Sequence, residues 1–421
     1  MKKIIVSSLL LMLGIQIMSA QTFTVANKPE DAGMSASRLD KIDKAIQDAI
    51  TKQQVPGMVA FVARNGKIVY YKAFGLSNTE SKTVLKRDDI FRIASQSKAI
   101  ASLAAMILWE EGKFQLDDAV SKYLPEFKNP KVLLKFNPAD STYTTQPAKG
   151  EITIRQLFTH TSGLDYAGIG SNEFKAIYAK AKVPSGIGNH QSTIGEKMRI
   201  LGGLPLKHNP GEQYTYGLNL DVMGYLVEVL SGMPFDKFLK TRIFEPLGMN
   251  DTYFYLPTEK QNRLVALHQS KSGTYSPIKT KIFDGVDPNY PNLNGTYFSG
   301  GAGLNSTIED YAKFLQLFIN NGAVNGTHLI SRKTVELILT NQIQSPINAQ
   351  LGLGFGLETD GNDYKSVVSK GSFSWGGAFT TNYWGDPQEK IVALIYTNIY
   401  ASDAGDVVSK FKTLVYSAII D

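Results

Sequence analysis

Ser95 and Lys98 stand three residues apart in FRIASQSKAIASLAAMILWEEGK, residues 91–113. The run that follows is a nearly unbroken apolar helix pattern, in which a lysine on the first turn is costly. On a helix, positions i and i+3 share a face, with Cβ atoms about 5–6 Å apart. A serine hydroxyl is a poor nucleophile until a base takes its proton. A lysine can be that base if its pKa falls from about 10.4 toward about 7–8. That shift is worth about 3–4 kcal/mol, which apolar burial and a second cation or dipole can supply. A serine at a helix start also lies among free backbone N–H groups, which favour negative charge. The chemistry that fits is acyl transfer through a serine.

Spacing alone does not single out Ser95. Ser-x-x-Lys occurs three times, at Ser95, Ser276 and Ser409. Only Ser95 opens an apolar helix directly after a strand-like run. The rival reading there is a helix cap followed by a surface lysine. His160, in FTHTSGL, invites a Ser-His-Asp triad, but the chain has no Gly-x-Ser-x-Gly elbow. His160 reads instead as a structural hydrogen-bonding residue. The five histidines are scattered, none paired at metal-ligand spacing, so neither a metal site nor another cofactor is expected.

The elements that must position these residues come from both ends of the chain. Residues 35–50 carry apolar positions at three- and four-residue steps, an amphipathic helix. GMVAFVARNGKIVYYKAFG (57–75) is a hairpin, with Asn65-Gly66 suited to a type I′ turn. Residues 95–111 form the next helix, stopped by Gly112. Near the other end, 306–322 reads as a capped helix, 378–386 and 390–398 as strands joined at Asp386-Pro387, and 404–419 as a closing helix. Between them lies a segment rich in Pro, Gly, Asn and Tyr. One strong helix (221–231) runs through it, and its polar stretches at 135–150 and 183–193 read as surface loops. The architecture expected is α/β (α+β): an antiparallel sheet flanked by helices, built from 21–115 and 290–421, with 116–289 inserted as a helical, loop-rich lobe.

Composition is that of an ordinary globular protein: 421 residues, 43% hydrophobic, 19% charged. With no cysteine, thiol nucleophiles and thiolate metal sites are excluded. The net charge of +6 is dispersed, without a Lys/Arg block, and does not suggest nucleic-acid binding. Residues 1–20, MKKIIVSSLLLMLGIQIMSA, have a basic start and a short apolar run ending in small residues. They read as a signal peptide cleaved after Ala20, which implies an exported, periplasmic or secreted protein without a membrane span. Losing Lys2 and Lys3 takes the net charge from +6 to +4.

Several stretches, in order, carry a resemblance. Residues 91–127, ITIRQLFTHTSGL (152–164), PGEQYTYGLNLDVMGYLVEVLSG (210–232), SGGAGLNSTIEDYAKF (299–314) and GSFSWGGAFTTNYWGDPQEKIVALIYTN (371–398) resemble the serine β-lactamase and penicillin-binding-protein superfamily. The closest branches are class C β-lactamases and family VIII carboxylesterases. The resemblance implies a β-lactamase/transpeptidase-like fold, Ser95 as nucleophile, and Lys98 with Tyr216 as proton carriers. Trp375, Gly376 and Gly377 fall where β-lactamases of this type present Lys-Thr-Gly, the lysine holding a substrate carboxylate. Indole in place of ammonium resembles the esterase branch. The Ser95 and Ala378 N–H groups would then form the oxyanion hole. The family's Tyr-x-Asn is Tyr216-Gly217-Leu218 here, leaving Asn219 one place late as a possible substrate contact. The substrate implied is a small acyl compound, first an ester. A β-lactam or a D-amino-acid peptide of peptidoglycan is the second expectation. A non-catalytic binding protein on the same fold is the third.

Overall fold

The computed structural model describes residues 22–421 apart from Ser272, Asp284, Ser402 and Asp403, so the signal-peptide expectation lies outside the described residues. The hairpin forms as read: Gly57–Arg64 pairs antiparallel with Lys67–Asn78. Asn65 and Gly66 both take positive φ, 54° and 71°, as a type I′ turn requires. From the other end of the chain come Phe373–Gly377, Thr381–Asp386 and Ile391–Tyr396, paired antiparallel in sequence. The two halves join where Ile391–Tyr396 lies against Gly57–Arg64, with Val59 opposite Tyr396 and Arg64 opposite Ile391. Thr24–Val25 adds a short parallel strand at one edge and Gly356–Leu357 closes the other. The sheet is thus built from both chain ends.

The two central strands are buried along their whole length because both faces are covered. Their side chains alternate between two apolar clusters, as a two-residue period dictates. Met58, Ala60, Val62, Ile391, Ala393 and Ile395 pack under the helices Ala36–Thr51 and Val407–Ser417. Val59, Phe61, Val392, Leu394 and Tyr396 face the opposite cluster, where the helix Ile308–Ile319 lies across the strands.

That second cluster continues without a break into the middle of the chain. It takes in the site helix, Ser97–Glu110, which packs against the helix Asn219–Ser231. All residues of the site helix from Ser97 to Leu108 are buried, which explains why its sequence is apolar on every side.

Two local expectations change. The helix begins at Ser97, and Ser95 sits on a 3₁₀ turn, Ala94–Gln96, that feeds into it. The stretch 135–150 is mostly a hairpin, Lys131–Asn137 with Thr142–Pro147, rather than a loop. Its residues are mainly exposed on both faces, so no apolar alternation marks it as a strand pair.

Candidate active site

The chain reaches Ser95 through the strand Phe91–Arg92, which pairs with Asn305–Ser306. It then makes a sharp turn. Ala94 is buried with φ 43°, a left-handed conformation that costs a non-glycine residue about 1–2 kcal/mol. Hydrogen bonds hold the turn in place. Ser97 Oγ donates to the Ala94 carbonyl at 2.7 Å and accepts from Leu304 N–H at 3.0 Å. Tyr311 Oη donates to the Gln96 carbonyl at 2.8 Å, and Tyr396 Oη donates to the Gln96 side chain. The surrounding core therefore determines where the Ser95 side chain lies.

Lys98 is 2% exposed. Its Nζ has three partners: Ser95 Oγ at 3.3 Å, Tyr166 Oη at 3.0 Å and the Gly301 carbonyl at 2.7 Å. The rings of Tyr216 and Tyr166 lie 4.5 Å and 5.3 Å from it, adding cation–π contact. Tyr216 Oη donates to Ser95 Oγ at 2.7 Å. The serine oxygen thus touches both an amine and a phenol that come from distant parts of the chain. The other two Ser-x-x-Lys serines, Ser276 and Ser409, are exposed on the surface.

Tyr216 is held by rings on either side. His160 lies 4.7 Å from it and Trp375 stacks at 6.1 Å with planes 30° apart. Trp375 belongs to the strand Phe373–Gly377. Gly377 is required by close approach: a Cβ there would lie 2.4 Å from the Ile93 carbonyl, two residues before Ser95. Gly376 is next to it, where a Cβ would meet Asn382 Oδ1 at 3.1 Å. Ala378 follows, and lines the same small hollow as Ser95. Among the described residues, neither the Ser95 N–H nor the Ala378 N–H donates to a protein acceptor.

Asn219 departs from expectation. It is fully buried, and both ends of its amide are engaged away from the cleft. Its Nδ2 donates to His160 Nδ1 at 2.9 Å, and its Oδ1 accepts from Ser162 Oγ at 2.5 Å. The helix that starts at Asn219 turns this side chain into the interior, so it is not a substrate contact. His160 Nδ1 also accepts the Gly217 N–H at 3.3 Å. Burial, and then the charge of Lys98, push the His160 pKa well below the usual imidazole value, so the ring is neutral at pH 7. His160 therefore helps hold the tyrosine loop, as a structural hydrogen-bonding residue would.

Three participants escaped the sequence reading: Tyr166, the Gly301 carbonyl and Asp221. Burial pushes the Tyr166 phenol well above its ordinary pKa, with Tyr216 and Asp221 adding to the effect, so it remains protonated while accepting from Lys98. Asp221 is a fully buried carboxyl near Lys98. Burial raises its pKa, opposed by a Ser299 hydrogen bond and the Lys98 charge. It accepts from Tyr297 Oη at 3.3 Å. No spacing rule picks one tyrosine from twenty. The Gly-Gly turn at 300–301 was the available signal for a backbone acceptor.

Among the described residues there is no group of three or more His, Cys, Asp or Glu arranged to hold a metal, and no helix long and apolar enough to cross a membrane. Most of the chain is similar to known proteins. Residues 42–413 match the Beta-lactamase family. Protein Rv1367c of Mycobacterium tuberculosis is 30% identical over 85% of this chain and 89% of its own length. Esterase EstB of Burkholderia gladioli is 29% identical over 92% of this chain and 96% of its own. The solved structure of EstCE1, described as a hydrolase with promiscuous acyltransferase activity, is similar at TM-score 0.77 and 25% identity, covering 90% of this chain and 99% of that one.

Proposed function

The chain belongs to the Beta-lactamase family and is a serine hydrolase, and from that premise we propose that it is an exported esterase working through an acyl-enzyme on Ser95. One observation carries the reading: Ser95 Oγ lies 2.7 Å from the Tyr216 phenol and 3.3 Å from the buried Lys98 amine. Ser95 Oγ attacks the ester carbonyl carbon, and its proton passes to the Lys98–Tyr216 pair. The carbonyl oxygen becomes an oxyanion facing the Ser95 and Ala378 N–H groups, each worth about 3–4 kcal/mol to the transition state. Collapse expels the alcohol, which takes the proton back through Tyr216. Water, deprotonated by the same pair, then releases the acid and restores Ser95.

Trp375 favours esters over carboxylate-bearing β-lactams, because an indole supplies no cation at the place where the resemblance expects lysine. The name of EstB supports the same choice. The basic and apolar character of residues 1–20 supports export. The lobe division, 21–115 with 290–421 around 116–289, belongs to this reading as well.

The test is hydrolysis of p-nitrophenyl acetate with Ser95→Ala alongside wild type. Turnover is expected to fall by about 10⁴-fold or more. Fluorophosphonate labelling, mapped by mass spectrometry, should land on Ser95. Full ester turnover in Ser95→Ala overturns the mechanism. Turnover of nitrocefin or peptidoglycan fragments in preference to simple esters would instead favour the β-lactamase or peptidase reading.

A further inference from the structure

The hollow at Ser95 is small, about 40 Å³. On the measure by which one water needs about 10–15 Å³, that is room for only a few waters. Its wall beyond Ser95 and Ala378 is mainly apolar, with Ile169, Ile187 and Phe283. Any substrate larger than a short acyl ester must therefore extend out of it. A second, larger hollow of about 580 Å³ adjoins it, sharing Gly168, Ser185 and Phe283. The sill between them is low, because Gly168 has no side chain and packs against Ser185: a Cβ on Gly168 would lie 3.2 Å from the Ser185 Cβ.

The second hollow has a different character. Lys182 and Lys197 line it, together with His190 and the polar Asn189, Gln191 and Ser192. Among the described residues, no Asp or Glu lines it. Among the described residues neither lysine ammonium has an ion pair or a hydrogen bond to protein. Glu196 precedes Lys197 but turns back to cap its own helix, accepting the Thr193 N–H at 2.7 Å. Asp284, which stands between Phe283 and Gly285 in the sequence, lies outside the described residues. Two unpaired ammonium groups in one hollow next to the nucleophile make an anion receptor.

We propose that the preferred substrate is an ester whose far end carries an anionic group, a carboxylate or a phosphate, seated between Lys182 and Lys197 while its carbonyl lies at Ser95. This rests on the Ser95 reading and adds the substrate class to it. The cation that the Trp375 strand lacks is thus supplied by the loop-built second hollow.

Two matched probe pairs test it. Mono-4-nitrophenyl adipate against 4-nitrophenyl hexanoate puts the anion on the acyl side, and 4-acetoxybenzoate against 4-acetoxybenzamide puts it on the alcohol side. The readout is the kcat/KM ratio of anionic to neutral ester. In at least one pair the ratio should exceed one at low salt. It should fall about threefold to tenfold in the K182N/K197Q variant, and also in wild type at high salt, since exposed charges are screened. Asn suits position 182, where φ is 56°. Ser185→Phe, which raises the sill, should lower the same ratio. Lys410→Asn, the loss of one positive charge on the last helix, should leave it alone. If neutral esters are hydrolysed but neither pair responds to the variant or to salt, the anion receptor is wrong and the Ser95 mechanism stands. If wild type hydrolyses no ester, or Ser95→Ala hydrolyses them fully, the Ser95 reading itself falls.

Discussion

The two walls that meet at Ser95 differ in kind. The inner wall, formed by the turn Ala94–Gln96, the site helix, Gly301 and the strand Phe373–Gly377, is closed: Lys98 has three partners and Gln96 is bound by two tyrosines. The outer wall, from 167–169, 182–192, Phe283, Gly285 and Val286, is irregular and, among the described residues, holds two lysines without partners. A reacting group must be held to within a fraction of an ångström, which a packed interior can do. Selecting a substrate needs only complementary charge and shape, which loops on a rigid frame can supply. Under the proposed mechanism, chemistry belongs to the inner wall and selectivity to the outer one.

Perturbing the inner wall should have the largest effects. Tyr216→Phe removes one hydroxyl and no ring contact, and kcat for p-nitrophenyl acetate should fall about 10²–10⁴-fold with the melting temperature nearly unchanged. A drop of less than threefold would remove Tyr216 from the proton path. Gly377→Val forces a Cβ against the Ile93 carbonyl. We expect a loss of about 2–4 kcal/mol in urea unfolding along with most of the activity. Unchanged activity would mean that the strand end does not help position Ser95.

Asn219→Ala probes the layer behind the inner wall. It leaves His160 and Ser162 without their buried partner, and should cost about 1–3 kcal/mol of stability. The anionic-to-neutral ester ratio should not move. A changed ratio would return Asn219 to the cleft.

The smallest effect concerns pH. Burial lowers the His268 pKa from 6.5 to about 4. The unfolded chain therefore binds a proton there that the folded chain refuses. Stability is fully present above about pH 6.5 and is lost as pH falls toward 4, by about 2 kcal/mol at pH 5 from this residue. Melting curves at pH 7 and pH 5 should show the decline, and His268→Gln should shrink it. His268 touches the Thr79 N–H and not the cleft, so ester selectivity should be untouched.

The inner wall was largely legible in the sequence. Ser95 and Lys98 were readable because both lie on one local segment, and the hairpin was readable from Asn65-Gly66 between β-rich runs. Tyr216 and Trp375 needed the resemblance, since their positions relative to Ser95 depend on the whole fold. The hairpin at 131–147 was hidden by its two exposed faces, and the inward turn of Asn219 by helix phase at a loop exit.

The sequence by itself determined most of the elements and marked Ser95 and Lys98 as a candidate pair, because helical spacing and strand alternation are short-range and repeat within a few residues. Only the tertiary structure decided what touches that pair. Tyr166, the Gly301 carbonyl and the Tyr216 phenol arrive from 68, 203 and 121 residues away. Lys182 and Lys197 gather at the adjoining hollow in the same way. Such contacts follow from packing the whole chain, and no local pattern records them.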